Sequence, residues 1–348
     1  MQYVSLQLKN FRSYTNYAVE LNKGVNIVVG PNASGKTNLL EAIQVLSLGN
    51  SFRSPDKELI GFGKSWMSIQ GALDDGQERQ LSIRQEKSIK IDGNKYKRLS
   101  LQKQIPITLF EPEHLRMIQG SPELRRSYLD GILKQTLPGY ASVLSKYKRA
   151  VAQRNALLKK ENISKDELFV WDIKMTELAS KIVEQRKKLI QRINRQASKI
   201  YSELSNKKST VNLKYISSIK QKDYATGMLN RLQKEFEEDR RKGFTSSGPH
   251  REDINLILNR HNALNTASRG ESRTIVLVLK LIELKLIEEA RDKTPILLLD
   301  DVFSELDSAR RKALTDYLKN HQTIITTTDA DAIIKHFIGS YNIIPTEG

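Results

Sequence analysis

Eight residues, Gly30-Pro31-Asn32-Ala33-Ser34-Gly35-Lys36-Thr37, restrict this chain more than any other stretch. They fit G-x-x-x-x-G-K-[ST], a loop whose backbone N–H groups wrap around phosphates, and the flanks supply the context that pattern requires. Val25, Ile27, Val28 and Val29 form a short β-branched run before the loop. After it, Leu39, Ala42, Ile43 and Leu46 recur at i, i+3, i+4 and i+7, the apolar face of a helix. In a strand–loop–helix unit of this kind the positive end of the helix faces the anion. Lys36 adds a charge at the β- and γ-phosphates and Thr37 can ligate Mg²⁺.

With 348 residues, the chain is too long for one small core and is expected to form two domains, or one large domain carrying an insertion. It has no apolar run of membrane-spanning length. The opening Met1-Gln2-Tyr3-Val4-Ser5-Leu6 lacks the charged and apolar regions of a secretion signal, so a cytosolic protein with no membrane partner is expected. The chain has no cysteine, which excludes disulfides, thiolate metal sites and cysteine nucleophiles. His114, His250, His261, His321 and His336 are scattered without ligand spacing, which argues against a zinc site. A net charge of +17 points to a polyanionic partner. Residues 116–242 hold 29 Lys and Arg against 14 Asp and Glu, so nearly all of the excess sits in about a third of the chain. Charge confined in this way reads as a dedicated surface for nucleic acid.

Along the chain, Val4, Leu6 and Leu8 alternate, as do Val19 and Leu21, giving two strands around a turn within residues 10–15. The phosphate loop follows, with a helix ending near Gly49. Residues 66–73, 80–85 and 88–92 read as short strands separated by turn signals, an antiparallel addition because no helical stretch lies between them. Residues 106–110 form one more strand. Residues 121–208 then read as several helices in a bundle, without the sustained heptads of a long coiled coil. Ile254, Leu256 and Leu258 alternate as a strand where strand–helix alternation resumes. A strong helix over 273–289, a continuous apolar strand at 295–299, a helix over 308–318 and a strand at 323–328 complete the pattern. These boundaries place a head in residues 1–115 with 244–348, and a basic, mainly helical domain in residues 116–243 inserted into it.

The apolar run ends in Asp300-Asp301, the acidic partner a phosphate loop needs. Asp300, at the end of a buried strand, fits Mg²⁺, and Asp301 fits the orientation or deprotonation of a water beside the γ-phosphate. Ser268, in Ala267-Ser268-Arg269-Gly270-Glu271, suits a helix N-cap, which exposes N–H donors with a positive dipole end.

In this order the set resembles the ATP-binding cassette ATPases. Walker A falls at residues 30–37, a signature motif at Ser268 to Glu271, Walker B at residues 296–300, and a D-loop at Ser304-Glu305-Leu306-Asp307. Within that superfamily the chain is similar to the RecF family, bacterial recombinational-repair relatives of SMC proteins. The likeness rests on Asn10-Phe11-Arg12-Ser13-Tyr14, Phe52-Arg53-Ser54, Gly120-Ser121-Pro122 with Arg125-Arg126 and Leu129-Asp130, Ser247-Gly248-Pro249-His250-Arg251-Glu252-Asp253, and the string from Leu297 to Asp307. It implies an α/β fold, an ABC-type P-loop ATPase head with a mixed sheet, an antiparallel addition and the inserted helical domain.

The resemblance also implies ATP and Mg²⁺ as cofactors. Gly30, Pro31, Asn32, Ala33, Ser34, Gly35, Lys36, Thr37, Asn38 and Arg12 would bind ATP, with Ser268, Gly270 and Glu271 closing the nucleotide of a second copy. Thr37 and Asp300 would hold the metal, and Lys36 and Asp301 would act in hydrolysis. ATP would close a homodimer on gapped or junction DNA, and slow turnover would release it, supporting RecA loading with RecO and RecR. Two departures bear on rate. Thr326-Thr327-Thr328-Asp329 stands where cassette ATPases usually carry a histidine, and Glu271 stands in place of the signature's glutamine. Gln70, Gln102 and Gln104 are the candidates for a Q-loop residue. An SMC-type chromosome-organising head and a transporter motor share the motifs and are the alternative readings.

Overall fold

The computed structural model describes residues 1–160, 163–303, 306–318, 320–334 and 341–346. Ser304 and Glu305 of the D-loop string, and His336, lie outside the described residues. Two units emerge, one formed by residues 1–114 and 283–348, the other by residues 115–282.

The first unit holds two sheets around one helix. β1 (Tyr3–Phe11), β2 (Tyr14–Glu20), β4 (Met67–Leu73), β5 (Glu78–Ile83), β6 (Lys87–Ile91) and β7 (Asn94–Tyr96) form an antiparallel sheet in the order β2-β1-β4-β5-β6-β7. β3 (Val25–Val29), β8 (Ile107–Phe110), β12 (Ile296–Asp300), β13 (Thr323–Thr327) and β14 (Tyr341–Pro345) form a parallel sheet in the order β14-β3-β13-β12-β8. Its strands β3, β8, β12 and β13 are buried along nearly their whole length because both faces are covered. α1 (Lys36–Leu48) is buried nearly all round, and Leu39, Ile43 and Leu46 share one core with Leu6, Leu8, Ile69 and Leu298. Gln322 fastens the start of β1 to the parallel sheet, accepting from the Tyr3 N–H at 2.8 Å and donating to the Tyr3 carbonyl at 2.6 Å. Shorter helices complete the unit: α10 (Ser308–Leu318) and α11 (Asp331–Ile334), with α2 (Pro112–Leu115) after β8.

In the second unit α3 (Pro122–Thr136) and α4 (Tyr140–Leu158) pack on α5 (Lys165–Ser205), a single helix of 41 residues. A capping box between Ser164 and Glu167 starts α5, Asn206 in the left-handed region ends it, and no glycine or proline interrupts it. The several helices expected over residues 121–208 thus include one of about 60 Å, at 1.5 Å per residue. β9 (Val211–Ile216), α6 (Tyr224–Lys234) and α7 (Phe236–Lys242) come next, then β10 (Asp253–Leu258), β11 (His261–Asn262) and α8 (Ala263–Thr266). β10 was expected to return the chain to the nucleotide domain after residue 243. Instead it pairs antiparallel with β9 and β11 in a separate three-stranded sheet, because its alternating apolar residues bury one face only. Residues 244–282 therefore group with the inserted part. α9 (Arg269–Arg291) begins in the second unit and ends in the first.

Candidate nucleotide site

Parallel register sets the site. Val28 lies opposite Thr326, and Thr326 opposite Asp300, so the loop after β3 and the acidic end of β12 share one edge of the sheet with β13 between them. Ligands of open parallel sheets gather at such carboxyl ends. The loop is clasped by its own lysine. Lys36 Nζ donates to the carbonyls of Gly30 and Pro31, each at 2.7 Å. Gly35 has φ +93° and caps α1 with no side chain in the capping position, and the first turn of α1 holds no acidic residue. A helix start of this kind keeps its N–H groups and dipole for an anion. Glycine is required at position 30, where a Cβ would meet Thr346 Oγ1 at 2.0 Å.

Thr37 Oγ1 donates to the Asp300 carboxylate at 2.9–3.0 Å, and Thr326 Oγ1 donates to Asp300 Oδ1 at 2.7 Å. The Asp301 N–H donates to Thr326 Oγ1 and to the Thr326 carbonyl, which fixes Asp301 at φ +49°. The threonine in the place of the usual histidine thus orients both aspartates. The donor set fits Mg²⁺, which takes one or two protein oxygens and fills its shell with water and phosphate oxygens. Among the described residues no cluster of three His, Cys, Asp or Glu forms a cage for a metal.

Arg12 meets the loop helix one turn past Thr37. It is bidentate to Glu41, Nε to Oε2 at 2.9 Å and Nη2 to Oε1 at 2.8 Å. Arg53 adds a bond to Glu41 Oε2 at 2.7 Å, and Ser51 one to Oε1 at 2.6 Å. Asn38 Nδ2 donates to Ser13 Oγ at 2.8 Å, and Tyr14 Oη donates to the Gly35 carbonyl at 3.2 Å. Pro31, Asn32 and Ala33 form the exposed crest of the loop. Of the glutamines, Gln104 donates to the carbonyls of Leu48 and Leu99 at the C-terminal end of α1, and Gln70 lies mid-strand between Gln7 and Gln80. Glu111, directly after β8 and paired with His114 at 3.7 Å, stands at the edge position next to Asp300.

In the second unit Ser268 and Glu271 form a reciprocal cap at the start of α9. The Ser268 N–H donates to Glu271 Oε2 at 2.8 Å and the Glu271 N–H to Ser268 Oγ at 3.2 Å. Those bonds hold the Glu271 carboxyl below its ordinary pKa. The remaining sequence strings interlock as buried polar contacts. Arg125 is bidentate to Asp253 at 2.8–2.9 Å and Arg126 donates to the Glu252 carbonyl. Arg186 is bidentate to Asp130 at 2.8–2.9 Å, and Arg154, fully enclosed, bonds Asp172 and Asp239 at 2.6 Å each.

Sequence reasoning missed Glu41, Tyr14, Glu111 and Thr346. Glu41 left a signal, an acidic residue one turn past Thr37 with arginines on both sides in sequence. Thr346 left none. Its hydroxyl lies 2.6 Å from Ser34 Oγ only because β14 pairs with β3.

A phosphate loop and an aspartate pair on two strands of a parallel sheet with one strand between them, and an antiparallel sheet across the loop helix, define an ABC-type P-loop ATPase head. The RecF/RecN/SMC N terminal domain family matches residues 3–340. The DNA replication and repair protein RecF of Streptococcus uberis is 41% identical, over 94% of this chain and 93% of that protein. Its counterpart in Lactobacillus johnsonii is 37% identical, over 96% and 94%. The chain belongs to the RecF family of DNA replication and repair proteins. Among solved structures, the recombination mediator protein RecF-ATP in the RecFOR pathway is 33% identical with a TM-score of 0.85, covering 94% of this chain and 92% of that one. An Smc head bound to the C-winged helix domain of ScpA, 15% identical with a TM-score of 0.54 over 97% and 92%, shares the fold.

Proposed function

We propose that this chain binds ATP with Mg²⁺ at the loop of residues 30–37 and uses it as a switch for dimerisation on DNA in recombinational repair. The observation that carries the reading is the joined pair Thr37–Asp300 beside the clasped Lys36. When bound, Mg²⁺·ATP would supply a bridging triphosphate and the charge that draws the two sides of the site together. Lys36 would exchange its two loop carbonyls for phosphate oxygens, Gly30 to Asn38 would line the phosphates, and Arg12 would approach them from the Glu41 side. Asp300 and Thr37 would hold the metal, and Asp301 would orient a water. The capped helix start at Ser268, Gly270 and Glu271 would face the nucleotide of a second copy, so the signature acts only in a homodimer. Without an imidazole after β13, hydrolysis would be slow and serve release.

In this reading the basic second unit engages gapped or junction DNA, and the RecFOR-pathway setting of the similar solved structures supports partnership with RecO and RecR in loading RecA. Among the described residues no helix is long and apolar enough to cross a membrane. The test is Lys36→Ala, followed by nucleotide binding and by sedimentation with and without ATP. ATP binding and ATP-induced dimerisation are expected to vanish together, and a variant that still dimerises with ATP defeats the switch.

A further inference from the structure

The outer face of the antiparallel sheet carries cations around a floor of short polar side chains. Alternation sends Leu6, Leu8, Ile69, Leu81 and Ile89 into the core shared with α1, so the residues between them face away from it. Two rows of those residues run straight across the strands. Lys9 lies opposite Ser68, Ser68 opposite Ser82, and Ser82 opposite Ser88. In the next row Gln7 lies opposite Gln70, Gln70 opposite Gln80, Gln80 opposite Lys90, and Lys90 opposite Lys95. Neither row holds an Asp or Glu, nor any of the β-branched and aromatic residues that suit a sheet surface. Trp66 and Arg84 stand just outside the paired Met67 and Ile83, at one end of the rows. The result is a trough of about 440 Å³ lined by Lys9, Trp66, Arg84, Lys90 and Lys95 along with the serines and glutamines, and by no carboxylate. The acids of this sheet lie outside it. Glu20 and Glu78 belong to the following row with Ser5 and Ala72, Glu86 to the β5–β6 turn, and Asp92 accepts from the Glu78 N–H at 2.8 Å. Among the described residues none of them forms an ion pair with Lys9, Arg84, Lys90 or Lys95.

Like charges directly opposite one another weaken an antiparallel pair, so the stability of the sheet does not account for Lys90 facing Lys95. Cations set around hydroxyl and amide donors match phosphodiester oxygens, which accept from both. At about 4.8 Å between strands the two rows measure about 14 and 19 Å, the length of several nucleotides and too long for one phosphate group. The stacked pair at the end of the trough selects the form of the strand. The Arg84 guanidinium lies 5.5 Å from the centroid of the Trp66 ring. An indole and a guanidinium plane are both surfaces on which an unstacked base rests, whereas the bases of a duplex are already stacked on one another. We infer that this face binds single-stranded nucleic acid, with Lys9, Arg84, Lys90 and Lys95 at the phosphates and the Trp66–Arg84 pair against a base. The inference rests on the proposed DNA-binding reading and deepens it. The single-stranded part of gapped DNA lies on the sheet, in addition to the contact made by the basic second unit.

The experiment uses the full chain with ATP and two fluorescein-labelled probes, an oligo-dT of about 12 nucleotides and a blunt duplex, in anisotropy titrations from about 50 to 200 mM KCl. The wild type is expected to bind both with salt-dependent affinity. Changing Lys9, Arg84, Lys90 and Lys95 together to Gln lowers the log–log slope on oligo-dT by about 0.7 per cation, about 3 in total, and leaves the slope on the duplex unchanged. All four side chains are exposed, so the circular dichroism spectrum is retained. Trp66 and Trp171 are the two tryptophans of the chain, and in a Trp171→Phe background oligo-dT should quench the Trp66 emission, a readout of stacking separate from affinity. A wild type that binds the duplex but not oligo-dT, or an oligo-dT slope that survives the fourfold change with Trp66 unquenched, overturns the assignment to this face and leaves the DNA reading standing. Equal loss of slope on both probes overturns the preference for a single strand. A wild type with a flat salt response on both overturns the DNA reading itself.

Discussion

Glu41 is a carboxylate on the loop helix with no access to water, held by two arginines and a serine hydroxyl. Burial alone would raise its pKa, but the hydrogen bonds from Arg12, Arg53 and Ser51 outweigh it and hold the group below the ordinary carboxylate value. Arg12 comes from the β1–β2 turn, where it adopts φ +51°, and Arg53 from the segment after α1. The carboxylate thus gathers two chain reversals onto the start of the loop helix. Surface ion pairs contribute 0–1 kcal/mol, whereas removing one partner of an enclosed pair costs several because the other charge is left stranded. Glu41→Ala is therefore expected to lower unfolding free energy by about 3 kcal/mol in urea titrations. Arg12→Ala should cost less, since Arg53 still neutralises Glu41. A Glu41→Ala loss below about 1 kcal/mol contradicts the anchoring role. Because the folded pKa is depressed, this contribution is present above the unfolded value and is lost as pH falls through the folded one.

At the level of elements, the strands and helices of the nucleotide half were legible because each has one strong signal. β3 and β12 are unbroken apolar runs, α1 has 3.6-residue spacing, and α10 occupies the span read from its amphipathic pattern. β9, α6, β14 and the pairing of β10 were not. β9 mixes lysine and asparagine with its apolar residues, and an alternating strand looks the same whichever sheet receives it. Nor did the string from Ser247 to Asp253 disclose its task, which depends on residues more than a hundred positions away. His250 shows this best. Its Nε2–H donates to the Thr245 carbonyl at 3.2 Å, which leaves Nδ1 to accept from the Tyr147 hydroxyl at 2.6 Å. This arrangement satisfies both ring nitrogens of the neutral imidazole. Burial lowers the imidazole pKa from 6.5 to about 4; the Thr245 carbonyl opposes the shift, and nearby Arg251 and Arg126 reinforce it. The fold therefore favours the neutral ring. Its stabilisation is complete above pH 6.5, declines as pH drops from 6.5 toward 4, and is flat below. His250→Gln removes that dependence. The stability gap between wild type and variant should shrink by up to about 3 kcal/mol across the window, read from urea unfolding at pH 7, 5.5 and 4.5. A gap independent of pH means the ring is not held neutral.

For the whole molecule, the phosphate loop and the aspartate pair belong to one unit, while the capped helix start at Ser268 to Glu271 belongs to the other. In the proposed function, binding of ATP within one chain and closure of two chains would therefore be separate events with separate footprints. Ligand binding lowers local opening by mass action, with stabilisation growing as the logarithm of ligand over dissociation constant. Protection of residues 30–48 and 296–301 from hydrogen exchange should depend on ATP alone and saturate with it. Protection of residues 268–272 depends on a second copy in the proposed function, and so should depend on protein concentration as well. The amides of that turn already have a partial shield, because Ser268 and Glu271 cap each other. The informative quantity is thus the increment added by ATP at high protein concentration over that added at low. Hydrogen exchange followed by mass spectrometry, on samples whose oligomeric state is fixed by sedimentation, separates the two footprints. With ATP saturating and the protein dilute enough to remain monomeric, the loop should be protected and the Ser268 turn should exchange as it does without nucleotide. Raising the concentration through the dimerisation range should protect the turn in proportion to the dimer fraction. Full protection of residues 268–272 in the monomer would place the signature turn on its own chain's nucleotide and remove the need for a partner.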